Sequence, residues 1–402
     1  MSSALRLPAE KPAAASLLPL GAETEKAFLR RLILYGFLLR VGVALLLHFT
    51  GYSRRFAPDE ETYAQDGWQF ALYWAGDVLI RPWRTSQQQP LGYFYLNGAF
   101  FYVFGQTELP IKVANCLLGA FCGRSVYLLA RELFGEVVGR RAATLFVFFP
   151  SLVLWSAVNI RDVWVVFLIL YVSFKSVQIA RGYSVGGVLQ LLLAMYGLTF
   201  LRDYLFFVVA VPPVAALVIG RSRNFARNFV LACVVGLGVI LLVQHGAVSE
   251  RAKRHMSLEV LSEARRDMAT GGSSFHEQVD ISTPSRALTF LPIGVAYFLF
   301  SPFPWEITSP LKAASLPEMI LIYALTLPAI RGVRFAVREH FRDCFQVLLL
   351  TGLLTVSYAL GEGNVGTLYR HRAQVLGFYL MFAAVGLELR RQRHLPTMAS
   401  LR

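Results

Sequence analysis

Apolar runs of about 17–25 residues recur along this chain, and each is long enough to cross ~30 Å of hydrocarbon as a helix. They cover residues 32–50, 110–130, 142–158, 163–180, 184–201, 203–220, 228–246, 316–331, 344–360 and 373–389. Lipid offers the backbone no hydrogen-bond partners, so each run must satisfy its own N–H and C=O groups, which a helix does. Since 55% of the 402 residues are hydrophobic and 16% charged, the expected fold class is an all-α polytopic membrane protein. It should be a bundle of about ten transmembrane helices with juxtamembrane helices on the outer face.

Two more runs, 91–104 and 288–304, fall short of that pattern. The first begins after Pro90 and contains Gly92, Asn97 and Gly98, and the second is interrupted by Pro292, Pro302 and Pro304. Counting either as a span reverses the side of every later segment, so the positive-inside tendency can arbitrate. If neither spans, both termini are cytoplasmic, and the clusters Arg131/Arg140/Arg141, Arg221/Arg223/Arg227, Arg331 to Arg342 and Arg390/Arg391/Arg393 all lie inside. Both runs are therefore expected as outer juxtamembrane or re-entrant pieces. The net charge of +14, which in a soluble chain would raise nucleic-acid binding, is here an orientation signal, and no nucleic-acid partner is expected.

The expected organisation is a disordered cytoplasmic tail over 1–31, one transmembrane domain over 32–389 with long outer loops at 51–109 and 247–315, and a basic cytoplasmic tail over 390–402. The first residues lack the order of charged head, apolar stretch and cleavage site of a signal peptide. Cys116, Cys122, Cys233 and Cys344 sit in apolar runs without metal-ligand spacing and read as small buried hydrophobes.

Chemistry is expected in the outer turns, where the polar and irregular sequence collects. Pro58-Asp59-Glu60-Glu61 is a good helix start, and Tyr63, Phe70 and Trp74 recur at helical spacing as interfacial anchors. The acids either cap that helix or supply a general base toward a hydroxyl or amine. Asn159-Ile160-Arg161-Asp162 places an acid at membrane depth, which is costly and points to function. Arg202-Asp203-Tyr204 reads as an ion pair pinning a turn. The last outer turn, Gly361 to Arg372, joins three glycines to Arg370, His371 and Arg372, a set of donors suited to phosphate oxygens. Residues 250–268 read as an amphipathic helix, part of either a lid or a plain structural loop.

The run Asp59-Glu60-Glu61-Thr62-Tyr63-Ala64, the piece Gln89-Pro90-Leu91-Gly92-Tyr93-Phe94-Tyr95, the segment Ala130 to Gly135 and Arg161-Asp162 together resemble the N-terminal half of GT-C glycosyltransferases. The group is bacterial glycosyltransferase family 39, with protein O-mannosyltransferases and aminoarabinose transferases. The turn Arg370-His371-Arg372 and Phe303-Pro304-Trp305 are similar to features of short bacterial relatives linked to exopolysaccharide assembly. The resemblance covers about residues 30–180. It implies a GT-C-like bundle in the bacterial inner membrane that moves a sugar, with inversion, from a polyprenyl-phosphate donor to an acceptor at the outer face.

On that resemblance Asp59 is the candidate base, with Glu60 beside it, and Asp162 matches the second acid, which positions substrates or, in metal-using relatives, a divalent cation such as Mg or Mn held with Asp59. No cofactor is otherwise implied. The substrate and phosphate contacts fall to Tyr63, Arg81, Arg161, Arg202, Arg370, His371 and Arg372. Where many relatives carry Lys-Pro-Pro this chain has Gln89-Pro90-Leu91, which moves phosphate handling toward the arginines. The short stretch after the tenth span leads us to expect a glycan or lipid acceptor. The rival expectations are an O-antigen-type polymerase or ligase, which needs no first-loop carboxylate, and a non-enzymatic transporter of lipid-linked glycan.

Overall fold

The computed structural model describes residues 24–78, 91–182, 184–219, 225–244, 257–269, 274–307, 313 and 315–394. All regular structure among them is helical apart from one isolated bridge between Ser274 and Asn364. The helices are α1 (Glu25–Thr50), α2 (Ser53–Phe56), α3 (Asp59–Ala75), α4 (Gly92–Phe104), α5 (Leu109–Phe134), α6 (Glu136–Val147), α7 (Pro150–Ser156), α8 (Asp162–Arg181) and α9 (Val185–Arg202). There follow α10 (Leu205–Ile219), α11 (Phe225–Gln244), α12 (Leu258–Met268), α13 (Pro284–Phe300), α14 (Leu316–Glu339), α15 (Phe341–Gly361), α16 (Val365–His371) and α17 (Ala373–His394).

Seven helices, α1, α5, α8, α9, α14, α15 and α17, are long and apolar enough to cross a membrane. The expected span 142–158 is instead a broken one, α6 and α7 meeting at 58°. Pro150 opens α7 and disfavours helix in the residue before it, so the break falls at Phe148 and Phe149. Arg40 of α1 covers the exposed backbone. Its Nη1 donates to the carbonyls of Val147 (2.8 Å) and Gly36 (3.0 Å), and its Nε to Ser156 Oγ (2.9 Å). Irregular backbone at this depth is tolerated because protein groups re-satisfy it. The runs at 203–220 and 228–246 form α10, which carries Pro212 and Pro213, and α11.

Both doubtful runs are helices packed at one end of the bundle. At 13 residues α4 is about 20 Å long, too short to span. It lies against α3, where Gly67 and Gly98 permit contact: a Cβ on Gly67 would strike Asn97, and one on Gly98 would press on Phe70 and Trp74. The α13 helix lies across the end of α15, with Phe298 stacked on Tyr358 and Gly294 against the carbonyl of Ala359.

Some expectations shift. Thr24 caps α1 by accepting from the Ala27 N–H, so helix begins inside the stretch expected as tail, and α17 runs on through His394. The helical spacing of Tyr63, Phe70 and Trp74 holds, yet Tyr63 and Phe70 point inward onto Tyr93, Phe94 and Tyr95, leaving Trp74 as the exposed member. Cys116, Cys122 and Cys344 are buried, whereas Cys233 is exposed on α11. That helix turns Phe229, Val230, Leu237 and Ile240 to the outside as well, a surface lipid would cover.

Candidate active site

The turn between α7 and α8 is held by a buried polar network. Glu60 accepts from the Asn159 backbone N–H at 2.5 Å and pairs with Lys112 Nζ at 3.2 Å, and Lys112 also donates to Ser53 Oγ. Asn159 accepts from Tyr93 Oη (2.8 Å) and donates to Asn97 (2.8 Å). Asn115 donates to Tyr93 Oη and the Val158 carbonyl, and accepts from Trp164 Nε1. Buried polar groups of this kind are costly unless satisfied and specify one geometry when they are. Their effect is to set Arg161 and Asp162 in place at the start of α8.

From Asp162 a linear chain of charges runs in two directions. Its Oδ1 accepts from Arg202 Nη2 at 2.8 Å, and its Oδ2 lies 3.5 Å from Arg370 Nε. Arg370 Nη1 donates to Asp59 Oδ2 at 2.6 Å. On the other side Arg202 Nη1 meets His371 Nε2 at 2.5 Å, and His371 Nδ1 meets Glu362 Oε1 at 2.7 Å. Five of these six groups are largely enclosed, while Asp59 keeps about half of its side chain, 47%, exposed. An arginine with a carboxylate on each side is a strong, geometrically defined element.

The electrostatics follow from burial among these charges. Burial works against the charge on Arg370, but Asp162 and Asp59 outweigh it and hold the guanidinium firmly protonated. Burial and the neighbouring Arg202, Arg370 and Arg161 keep His371 neutral, far below its ordinary range. Burial lifts the Glu362 carboxyl to about 7, with Arg202, Arg370 and Arg265 opposing the rise. Burial also raises the Tyr63 phenol, which lies in the field of Arg161, Asp162, Asp59 and Arg370.

The structure thus brings together Asp59, Asp162, Arg202, Arg370 and His371, with Tyr63 and Arg161 beside them. The Nε and Nη1 of Arg161 are buried and find no hydrogen-bond partner among the described residues. Arg202 turns to Asp162, whereas Asp203 accepts from the Tyr204 backbone N–H. Glu60 is enclosed beneath Asp59, bound to Lys112 and Asn159. Arg372 is engaged elsewhere, donating to the carbonyls of Phe298 and Ser301, so it ties the last turn to α13. Arg81 and Gln89-Pro90 lie outside the described residues.

Glu362, Lys112 and Arg265 belong to the site or its support and were not among the sequence candidates. Arg265 of α12 lies over the rings of Phe275 and Phe290 and donates to the Glu362 carbonyl. With the Ser274–Asn364 bridge it fastens the second long loop, read from sequence as either a lid or a plain structural loop, onto the last turn. The one cue for Glu362 is its place between two glycines. A Cβ on Gly363 would collide with the Arg265 carbonyl, so the glycine lets α12 approach.

A divalent cation does not fit the donors present. Asp59 and Asp162 are each engaged by a guanidinium, and among the described residues no three His, Cys, Asp or Glu side chains converge as a metal site.

Part of the sequence matches a family model, and the arrangement of the helices is similar to a solved structure. Residues 88–246 match the family described as dolichyl-phosphate-mannose-protein mannosyltransferase, a stretch that holds Arg161, Asp162 and Arg202. The crystal structure of ArnT from Cupriavidus metallidurans bound to undecaprenyl phosphate is similar in fold, with a TM-score of 0.50 and 16% identity. The similarity covers 87% of this chain and 60% of that one, so this chain spans about three-fifths of the ArnT length. No curated protein matches the sequence.

Proposed function

We propose that this protein is an inverting glycosyltransferase that moves a sugar from a polyprenyl-phosphate donor to a glycan or lipid acceptor at the outer face of the membrane. The observation that carries this reading is the pairing of the half-exposed Asp59 with Arg370, which in turn reaches Asp162. An acceptor hydroxyl gives its proton to Asp59 as its oxygen attacks the anomeric carbon, and the bond from that carbon to the phosphate oxygen breaks. The polyprenyl phosphate leaves with its negative charge, which the unpartnered donors of Arg161, together with Arg370, are suited to receive. Fixed donors aimed at developing charge are often the largest catalytic contribution.

ArnT was crystallised with undecaprenyl phosphate, which supports a lipid phosphate of this kind as the donor's carrier. The orientation, with both ends of the described chain cytoplasmic, rests on the Arg-rich segments that it places inside, and it puts Asp59, Asp162, Arg202 and Arg370, which meet at one end of the bundle, on the outer face. Pairs such as Arg131–Glu25 and Arg141–Glu388 lie at the other. The test is Asp59→Asn in the full chain reconstituted with a polyprenyl-phosphate sugar. Transfer should fall by roughly 10²–10⁴-fold, the usual contribution of a general base, with unchanged thermal unfolding. Full activity would sink the reading in favour of a polymerase, ligase or transporter.

A further inference from the structure

Arg202 is a cation of the charge chain held from two sides by different kinds of group. On one side is Asp162, on the other the neutral ring of His371, itself against the buried Glu362. A guanidinium only donates, so His371 Nε2 must accept from Arg202 Nη1. The single ring proton then sits on Nδ1 and is donated to Glu362 Oε1 at 2.7 Å. A second ring proton would point an N–H at Arg202, which the geometry forbids. The tautomer is therefore set by Arg202, and the strength of Nε2 as an acceptor is set by Glu362.

Resting on the glycosyltransferase reading, we propose that Glu362 and His371 are positioning residues: the dyad holds Arg202, and through it Asp162 and Arg370, in the geometry that receives the substrate phosphate, and it couples that geometry to one proton. An ionised Glu362 draws the Nδ1 proton toward itself and makes Nε2 a better acceptor. Arg202 then stays shared, using Nη1 for His371 and for Tyr204 Oη and Nη2 for Asp162 Oδ1, which leaves Asp162 Oδ2 to Arg370. A protonated Glu362 weakens that hold, and Arg202 closes on Asp162 in competition with Arg370.

The surroundings make Glu362 the titrating member. It faces Arg265 of α12, Arg370 and His371 of α16, Arg202 at the end of α9, Asp162 at the start of α8, and Tyr358 of α15 with Tyr204 beyond. Its Oε2 has no hydrogen-bond partner among the described residues, which gives a proton an unoccupied place to bind. Burial has already brought that carboxyl to about 7.

The experiment uses the full chain in detergent, wild type and Glu362→Gln, with ¹⁵N-labelled histidine and with undecaprenyl phosphate as the probe. Gln keeps the acceptor for Nδ1–H and removes only the charge. The His371 signal, identified by its loss in His371→Gln, should be that of a neutral ring protonated on Nδ1. It should shift across neutral pH in the wild type and stay fixed in Glu362→Gln. An Nε2–H tautomer, an imidazolium, or the same shift in both proteins would overturn the proposal.

In binding, the two proteins should match near pH 6, and the wild type should bind about threefold or more tightly near pH 8, the size of one weakened hydrogen bond. Comparing the two proteins cancels the titration of the phosphate itself. A ratio that is constant with pH marks a merely structural dyad, a reversed ratio marks simple charge repulsion, and either overturns the proposal. If neither protein binds the probe, the donor reading fails, and the histidine spectrum alone decides the dyad.

Discussion

Arg370 donates to Asp59 across 311 residues of sequence, at 2.6 Å, and so joins the loop after α1 to the turn after α15. The same guanidinium lies 3.5 Å from Asp162. It acts as a spacer that keeps two acids near one another, something a point charge on a flexible stem does poorly.

Arg370→Lys is therefore not conservative. The lysine can reach one carboxylate at a time, so transfer should drop on the order of tenfold to a hundredfold, as expected for losing a charge-assisted hydrogen bond of ~1.5–3 kcal/mol. Initial rates at saturating donor, compared with thermal unfolding of the same samples, would show it. A rate equal to wild type would remove Arg370 from the site.

The Glu60–Lys112 pair is fully buried, at 0% and 1% side-chain exposure. Lys112→Met strands the carboxylate, and removing one partner of such a pair typically costs ~3–5 kcal/mol. The double variant with Glu60→Gln should recover most of that stability, because the stranded charge is gone while an acceptor for Asn159 remains. Unfolding midpoints of the two variants in detergent check this, and equal midpoints would contradict it.

Helices α14 and α17 approach one another at two glycines. A Cβ at Gly332 would run into the Phe382 carbonyl, and one at Gly386 into the Pro328 carbonyl, both backbone atoms that cannot swing aside. Gly332→Ala and Gly386→Ala should each cost about 1–3 kcal/mol by overpacking. Gly352→Ala, which meets nothing within 4 Å, should instead gain roughly 0.5–1 kcal/mol from helix propensity alone. The order of their unfolding temperatures is the measurement.

Stability should also depend on pH through Glu362. Burial raises its folded value to about 7, above the 4.5 of an ordinary glutamate. The contribution is thus complete below the unfolded value and is lost as pH rises through about 7. The expected loss between about pH 4.5 and 7.5 is on the order of 3 kcal/mol, and Glu362→Gln should flatten that part of the profile. A wild-type profile that rises over this window would show the assignment to be mistaken.

The sequence alone determined the membrane class and the approximate positions of the spans. These follow from run length and charge asymmetry, which a sequence displays directly. It also pointed to Asp59, Asp162 and Arg370, because acids and arginines in short turns between apolar helices are rare enough to stand out. The break at Phe148 and Phe149 was written in Pro150, but the group that makes it tolerable, Arg40, lies about a hundred residues away. Glu60 and Asp59 are neighbours of the same chemical type, and only packing sends one under α5 to Lys112 and leaves the other facing Arg370. Arg370 and Arg372 likewise read as one cationic turn, until helix rotation directs the first to Asp59 and the second to the end of α13. Partner choice was decided by the tertiary structure, because side-chain direction and burial depend on which helices meet, and local sequence does not carry that information.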